Sequence, residues 1–564
     1  MTRRAAASAA VIAGVLAALS GCGGHPSSKP APPAVSASGS PIQFADVTAA
    51  AGIHFTHFTG ADGRLLMPES VGSGGGFLDY DGDGWLDVYL VNSTSWPKHP
   101  SLGKTGALYR NLHDGTFQDV TRAAGLAVPM YGQGCAVGDF DADGRVDLLV
   151  TCLGPNHLFR NLGNGRFSDV TAASGLGGGG PWDWHTSAAW LDYDRDGQLD
   201  LFICRYIRWS PETDVECKAA TGDRTYCGPM QYPEQPSLLY RNLGNGKFQD
   251  VSRSTGIASA PGKGLGVVPL DENGDGWVDL FVSNDLVANH LWRNEGGRKF
   301  HEVAQENGVA VADSAAARAG MGIDVADLRN ADDVTFAIGN FAGEGLALFR
   351  RGPAGYADEA RSSGLLPASL TSLTFGLAFL DADRDGWTDL FTYNGHVDPF
   401  AGKNGEAIRF RQAPQLFRNQ KGAFTDVSAQ AGAPFLELQV GRGCAWGDFD
   451  NDGRPDLLLC ENAGPARLLR NATSDTHHWL GVRLRGKPGN RDGYGAEVRL
   501  TVDGVTQRRW IHSGSSYLSA NDTRALFGLG DASRADRLEV RWPSGRHSEA
   551  TAPALDRYLE VAEP

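Results

Sequence analysis

Basic residues are in deficit: 51 Lys and Arg stand against 66 Asp and Glu, a formal net charge of -15 over 564 residues. They form no cluster, and phosphate backbones are bound by clustered cations, so a nucleic-acid partner is excluded. Beyond the N-terminus no apolar run reaches the roughly 18 residues of a membrane helix. Cysteine is sparse, at 8, with no CxxC or Cys/His grouping for a zinc site. A Ser/His/Asp triad, a P-loop and a GxGxxG fingerprint are also missing. What the chain has is glycine, 74 residues, within a 41% hydrophobic composition. That describes a packed, turn-rich protein of several domains, or of one large β domain plus an accessory.

The first residues, MTRRAAASAAVIAGVLAALSGC, place Arg3 and Arg4 ahead of an apolar stretch and small residues. This is the layout of an export signal. Its LSGC end, Leu19 to Cys22, resembles the bacterial lipobox. The resemblance implies a signal peptide over 1–21, lipidation at Cys22 and a chain tethered outside a membrane, in the periplasm or at the cell surface. The alternative is a secretory signal with an incidental cysteine. Residues 22–41, rich in Gly, Ser, Pro and Ala, read as a flexible tether. Of the remaining cysteines, Cys217 and Cys227 form the best candidate disulfide, because they lie in a polar insertion with few other stabilising features. Cys135 with Cys152 and Cys444 with Cys460 each bracket an acidic loop, which leaves cross-strand pairing and buried free thiols both open.

FLDYDGDGWLDVYLVN, from Phe77, carries the first copy of a repeat. DFDADGRVD from Asp139, DYDRDGQLD from Asp192, DENGDGWVD from Asp271, DADRDGWTD from Asp381 and DFDNDGRPD from Asp448 follow, with a damaged copy, DLRNADDVT, from Asp327. Starts are 60, 53, 79, 56, 54 and 67 residues apart, a spacing that points to a repeat architecture. A second element, such as LYRNLHDGTFQDVTRAAG from Leu108, follows six of the loops. Each unit reads as strand, acidic loop, strand and hairpin, the size of one β-propeller blade. The seventh unit has LLRN from Leu468 but lacks its last strand, and the missing piece, FADVTAAAG, stands alone at Phe44. The expectation is an all-β chain: a seven-bladed propeller over 42–472, closed by the N-terminal strand, then a small β-sandwich-like domain over 473–564. Closure hides the strand edges that would otherwise invite aggregation.

In DxDxDGxxD, the carboxylates at positions one, three, five and nine and the carbonyl at seven can converge on one cation, with glycine at six allowing the turn. Hard oxygen donors on a flexible loop suit Ca²⁺, with Mg²⁺ second. The expected ligand sets are Asp79, Asp81, Asp83, Trp85 and Asp87; Asp139, Asp141, Asp143, Arg145 and Asp147; and Asp192, Asp194, Asp196, Gln198 and Asp200. The other three are Asp271, Asn273, Asp275, Trp277 and Asp279; Asp381, Asp383, Asp385, Trp387 and Asp389; and Asp448, Asp450, Asp452, Arg454 and Asp456. An EF-hand needs glutamate at position twelve, where these copies have Leu90, Val150, Ile203, Val282, Thr392 and Leu459. Acid/base chemistry needs one constellation rather than six copies. The damaged copy, with Arg329, Ala331 and Thr335 in ligand places, is expected to hold no ion. Six Ca²⁺ would bring the formal charge from -15 to -3.

These motifs resemble FG-GAP/VCBS repeats, the calcium-binding blades also found in integrin α-chain propellers. GYGAEV from Gly493, LFGLG from Leu526 and VRWPSG from Val540 resemble the ASPIC/UnbV domain. The combination resembles bacterial relatives of the cartilage acidic protein family, which implies a secreted calcium-binding protein and no defined chemistry.

The candidate ligand surface is the insertion at 205–237, together with Trp182, Trp184 and His185 of PWDWHT. Long loops on a rigid scaffold often carry binding, and aromatics can stack on sugars, although both readings compete with a channel cap and with core packing. Asp285, His290, His396 and Asp398, with His54 and His57, are candidates for a polar funnel at the rim opposite the acidic loops, or for plain turn-bonding residues. The functional reading is a binding or adhesion module for an extracellular protein or glycan; the alternative is an enzyme, or an accessory to one, working at the channel mouth.

Overall fold

The computed structural model describes residues 42–96, 104–177, 179–219, 222–312, 314–403 and 405–564. The export signal, Cys22 and the whole tether of 22–41 lie outside them. The described chain is all-β apart from short helical turns.

Seven sheets, I to VII, repeat one plan of four antiparallel strands. Sheet I is Gly75–Leu78, Asp87–Leu90, Ala107–Asn111 and Phe117–Asp119. Sheet II runs from Gly132–Gly138 through Asp147–Cys152 and His157–Gly163 to Arg166–Asp169. Sheets III to VI begin at His185–Leu191, Gly264–Leu270, Ile323–Ala326 and Thr374–Leu380. Sheet VII has Gly441–Gly447, Asp456–Glu461 and Ala466–Asn471, and its fourth strand is Phe44–Asp46. First strands pack in sheet order from I to VII, and that of VII also lies against that of I.

The split hairpin keeps the bonds of the intact ones. Phe44 pairs with Asn471, Ala45 with Arg470 and Asp46 with Leu469. In sheet I the Thr121 hydroxyl accepts from the Leu108 N–H at 2.9 Å, and Asp119 accepts from the Thr121 N–H. In sheet VII Thr48 accepts from the Leu468 N–H at 2.8 Å, and Asp46 accepts from the Thr48 N–H. The D-V-T sequence thus makes the same corner whether its partner strand is 13 or 420 residues away.

The C-terminal part forms a three-stranded sheet, Ala525–Gly530, His478–Arg485 and Tyr558–Ala562, and a four-stranded one of Val505–Trp510, Glu497–Val502, Arg537–Arg541 and His547–Thr551. A small β-sandwich-like domain over 473–564 is the expectation; the structure has two sheets in this part, and their core is not separate from the rest. Leu480, Val498, Phe527 and Trp542 share one apolar cluster with Phe140, Leu149 and Trp190 of sheets II and III.

The segment His512–Asp522 leaves the module and threads among the first strands. Ser519–Ala520 adds to sheet I in parallel, Ile323 bridges to Ser516, and Ser513 bonds to the backbone of Trp190. Tyr517 and Leu518 are fully buried. Glycines in and just before the first strands make room for this segment. A Cβ at Gly74 would lie 2.1 Å from the Leu518 carbonyl oxygen, and one at Gly134 2.8 Å from the Leu518 Cα.

Candidate metal centre

Strand register fixes each acidic loop. The residue before the first aspartate pairs with the ninth-position one: Leu78 with Asp87, Gly138 with Asp147, Leu191 with Asp200, Leu270 with Asp279, Leu380 with Asp389 and Gly447 with Asp456. The sixth-position glycines have φ between +81° and +90°, a conformation open to glycine at little cost. Their N–H groups bond back to the first aspartate at 2.8–3.1 Å.

Five of the six expected loops bring three carboxylates within 4.8 Å of one another: Asp79, Asp81 and Asp87; Asp139, Asp141 and Asp147; Asp192, Asp194 and Asp200; Asp381, Asp383 and Asp385; Asp448, Asp450 and Asp456. The loop at Asp271 is not among these clusters; there Asn273 turns its amide to Asp275. Each fifth-position aspartate accepts from the seventh-position N–H, at 3.0 Å from Trp85 to Asp83, 3.0 Å from Gln198 to Asp196 and 2.8 Å from Trp277 to Asp275. Arg145, Trp387 and Arg454 make the same bond to Asp143, Asp385 and Asp452.

The clusters fit a hard cation. Asp79, Asp81, Asp141, Asp192, Asp383 and Asp450 each have a buried Oδ1 with no hydrogen-bond partner, a costly state for a carboxylate oxygen unless an ion takes it. Burial and neighbouring carboxylates push the Asp87 and Asp147 pKa up to about 8, and burial takes Asp192 to about 7. Burial also raises Asp200, Asp389 and Asp456 well above the usual range. A cation replaces the protons that such groups would otherwise keep. In the damaged loop Arg329 pairs with Asp333 at 2.8 Å, supplying from within the charge that an ion would bring.

The asparagine of each R-N pair has a role that the sequence reading missed. Its N–H donates to the ninth-position aspartate at 2.7–2.8 Å in six sheets. Its side-chain amide donates both to its own loop and to the preceding sheet: Asn161 to Val146 and Tyr80, Asn242 to Leu199 and Phe140, and Asn471 to Pro455 and Ala382. Its fixed place after each loop was the available signal. Sheet V has Arg351 there, whose guanidinium reaches the equivalent carbonyl, that of Glu272.

The C-terminal module lies on the acidic-loop side. Arg483 pairs with Asp79 at 2.7 Å, the Tyr558 hydroxyl donates to Asp448 at 2.6 Å, and Arg491 donates to the Gly144 carbonyl. At the damaged loop, Arg499 and Arg508 both pair with Asp332, at 2.6 and 3.0 Å.

At the other end of the sheets, the insertion folds down over the first strands. Cys217 and Cys227 form a disulfide, with Cα atoms 5.2 Å apart. Cys135, Cys152, Cys204, Cys444 and Cys460 are buried free thiols, which resolves the open alternative. Trp184 is fully buried, edge-on to Tyr206, and donates to Gln133, so it is a core residue rather than a stacking platform. Trp182 is half-buried against Trp96 and Trp209. His185 is buried against the Cys152 and Gly154 carbonyls, and burial lowers its pKa to about 4.

The rim residues have separate local partners. Asp285 accepts from the Tyr206 hydroxyl at 2.5 Å, Asp398 accepts from Thr225, and His396 Nδ1 accepts from the Asp398 N–H. His290 is buried beside Trp292, and His54 is exposed. Burial, with the charge of Arg442, lowers His57 to about 3. Arg442 itself is fully buried, donating to the carbonyls of Ser70, Gly395, Gly441 and His396.

Family comparison matches an FG-GAP-like repeat at residues 79–150 and 139–203, and ASPIC and UnbV at 486–564. Cartilage acidic protein 1 of Mus musculus is 26% identical over 391 residues, covering 67% of this chain and 55% of that protein. Its Homo sapiens counterpart is 26% identical over 393 residues, covering 67% and 53%. The chain therefore spans about half the length of these relatives. Among solved structures, an Agrocybe aegerita protein that recognises non-reducing terminal N-acetylglucosamine is 14% identical with TM-score 0.35, covering 63% of this chain and 81% of its own. The exotype rhamnogalacturonan lyase YesX is 13% identical with TM-score 0.38, covering 72% of each chain. Both likenesses are too distant to bear on function. The chain thus carries FG-GAP-like repeats followed by a C-terminal ASPIC/UnbV segment, the domains that cartilage acidic protein 1 also carries.

Proposed function

We propose that this chain is an exported, lipid-anchored binding or adhesion module: a closed seven-bladed propeller over 42–472, held at its corners by about six Ca²⁺, with the module of 473–564 keyed into its centre. The observation that carries the ion reading is the set of buried, unpartnered aspartate oxygens repeated from loop to loop. Closure is supported by the pairing of Phe44–Asp46 with Ala466–Asn471. Calcium fits better than magnesium because the loops offer many oxygens on flexible backbone. An extracytoplasmic address is supported by the Cys217–Cys227 disulfide and by likeness to cartilage acidic protein 1.

The binding face in this reading is the insertion side. The C-terminal module covers the acidic loops, whereas the stapled insertion leaves Met230 and Val215 exposed on a rigid support. Residues 42–564 applied to arrays of immobilised extracellular proteins and glycans test the proposal. Binding in calcium that is lost in chelator, and weakened by the paired Cys217→Ser and Cys227→Ser changes, is expected. No binder under either condition overturns it.

A further inference from the structure

Each R-N pair also carries an arginine, and where that side chain goes depends on the loop. Arg110 lies 2.8 Å from Asp81, Arg241 2.7 Å from Asp194, Arg418 2.7 Å from Asp383 and Arg470 2.6 Å from Asp450, and Arg160 pairs with Asp141. In all five the partner is the third-position aspartate, and the oxygen used is Oδ2. The same guanidinium extends to Oδ2 of the fifth-position aspartate, at 2.9 Å for Asp196 and 3.2 Å for Asp143, Asp385 and Asp452.

The other two sheets act as internal controls. In sheet IV the third position is the neutral Asn273, and Arg293 turns to Glu272 instead. In sheet V the third and fifth positions are Arg329 and Ala331, and Arg350 turns to Glu359. The arginine follows the carboxylate rather than the strand.

The oxygen that the arginine leaves alone is the informative one. Oδ1 of Asp81, Asp141, Asp383 and Asp450 is buried with no hydrogen-bond partner. We infer that this arginine is a positioning residue for the ion: it holds Oδ2 of the third aspartate outward and thereby aims Oδ1 into the loop. The inference rests on the calcium reading. A competing role, in which the guanidinium takes the place of the ion, would pair it with the unpartnered Oδ1 atoms, whereas all five pairs use Oδ2. Partners that orient metal ligands typically change affinity about 10- to 100-fold when removed. The repulsion of an arginine by the ion opposes this, but Arg110, Arg160, Arg241 and Arg470 keep 40–47% of their side-chain exposure, so solvent screens it.

Terbium reports on the loops through their seventh-position tryptophans, Trp85, Trp277 and Trp387, in sheets I, IV and VI. Titration of residues 42–564 with Tb³⁺, read by tryptophan-sensitised emission, should show Arg418→Gln weakening one component about 10- to 100-fold. Arg418→Lys should restore it only in part, because an ammonium supplies the charge without the planar fork. Arg350→Gln should move no component. Arg110→Gln repeats the test at a more exposed arginine, with circular dichroism in saturating calcium verifying the fold of each variant. Unchanged or tighter terbium binding in both glutamine variants overturns the inference, as does complete rescue by lysine. A wild-type chain that binds no terbium overturns the calcium reading and this inference with it.

Discussion

Sheets V and VI are neighbours with the same four-strand plan, yet their corners are held by different chemistry. In sheet VI the first aspartate, Asp381, accepts from the N–H groups of Asp385 and Gly386, and Asp383 and Asp385 join it in a carboxylate cluster. In sheet V Asp327 accepts the same backbone bonds, from Ala331 and Asp332, while the other ligand places have decayed and Arg329 supplies the charge. The first aspartate is therefore a turn-forming residue whether or not the other ligand places are kept. The ninth-position aspartate likewise accepts the asparagine N–H in six sheets, among them sheet IV, whose loop is not among the carboxylate clusters, and only sheet V has another residue there, Thr335. Contact between sheets is a separate matter again: Asn419 still donates to the Leu328 carbonyl of the damaged corner, and Arg351 of sheet V still reaches Glu272. Corner chemistry and sheet-to-sheet coupling are thus independent devices.

The largest effect that separates them is ion removal. An ion bound at a hundredfold excess over its Kd stabilises the native chain by about 2.7 kcal/mol per site. Five or six such sites should then lower Tm by more than about 10 °C in excess chelator. An unchanged melt would break the comparison at its root. The pH dependence should change with the ion as well. Without it, burial holds Asp87, Asp147 and Asp279 near about 8 and Asp448 near about 7, against an ordinary value of 3.8. The folded chain then keeps protons that the unfolded chain releases, so stability is highest near pH 4 and falls as pH rises through 7 and 8. With calcium the sign reverses, because protons compete for the same oxygens and acidification weakens binding. Melting curves from pH 4 to 8, with calcium and with chelator, should slope in opposite directions.

The next effect is smaller and should ignore calcium. Asn419→Ala strands the carbonyls of Leu328 and Thr388, both within hydrogen-bond reach of the native amide. At about 1–3 kcal/mol for each of the two buried groups left unpaired, a loss of about 2–6 kcal/mol is expected. Urea midpoints should fall equally in calcium and in chelator. A loss confined to calcium would mean that the asparagine acts through the ion, and the two devices would merge.

Much of this was legible in the sequence, because it is local or repeated. The acidic loops, the orphan FADVT strand and the Cys217–Cys227 pair are carried by short spacings that a linear reading sees. Three features were not, each for a physical reason. The asparagine amide acts on the preceding sheet, and Asn161 meets the Tyr80 carbonyl 81 residues away. Tyr517 and Leu518 read as ordinary apolar residues of the last module, and their burial among the first strands follows only from tertiary packing. The choice between stacking and core packing at Trp184 and His185 stayed open in the sequence, because only the tertiary structure buries both side chains where a first strand begins.

The smallest expected effect tests how sheet V keeps the turn of its damaged loop. Its sixth position is Asp332 at φ +65°, where the intact loops have glycine. A left-handed conformation costs a non-glycine residue about 1–2 kcal/mol, and Asp332 offsets part of this through Arg499 and Arg508 of the C-terminal module. Its side chain is 59% exposed, so each pair is worth only about 0.2–1 kcal/mol and weakens with salt. Asp332→Ala keeps the strain and loses both pairs, for a cost of about 1 kcal/mol that shrinks in 1 M salt. Asp332→Gly loses the same pairs but removes the strain, so it should melt above the alanine variant and close to wild type. If glycine proved the worse of the two, the aspartate would be held by its ion pairs alone. The backbone of the damaged loop would then no longer count as a relic of its glycine-bearing neighbours.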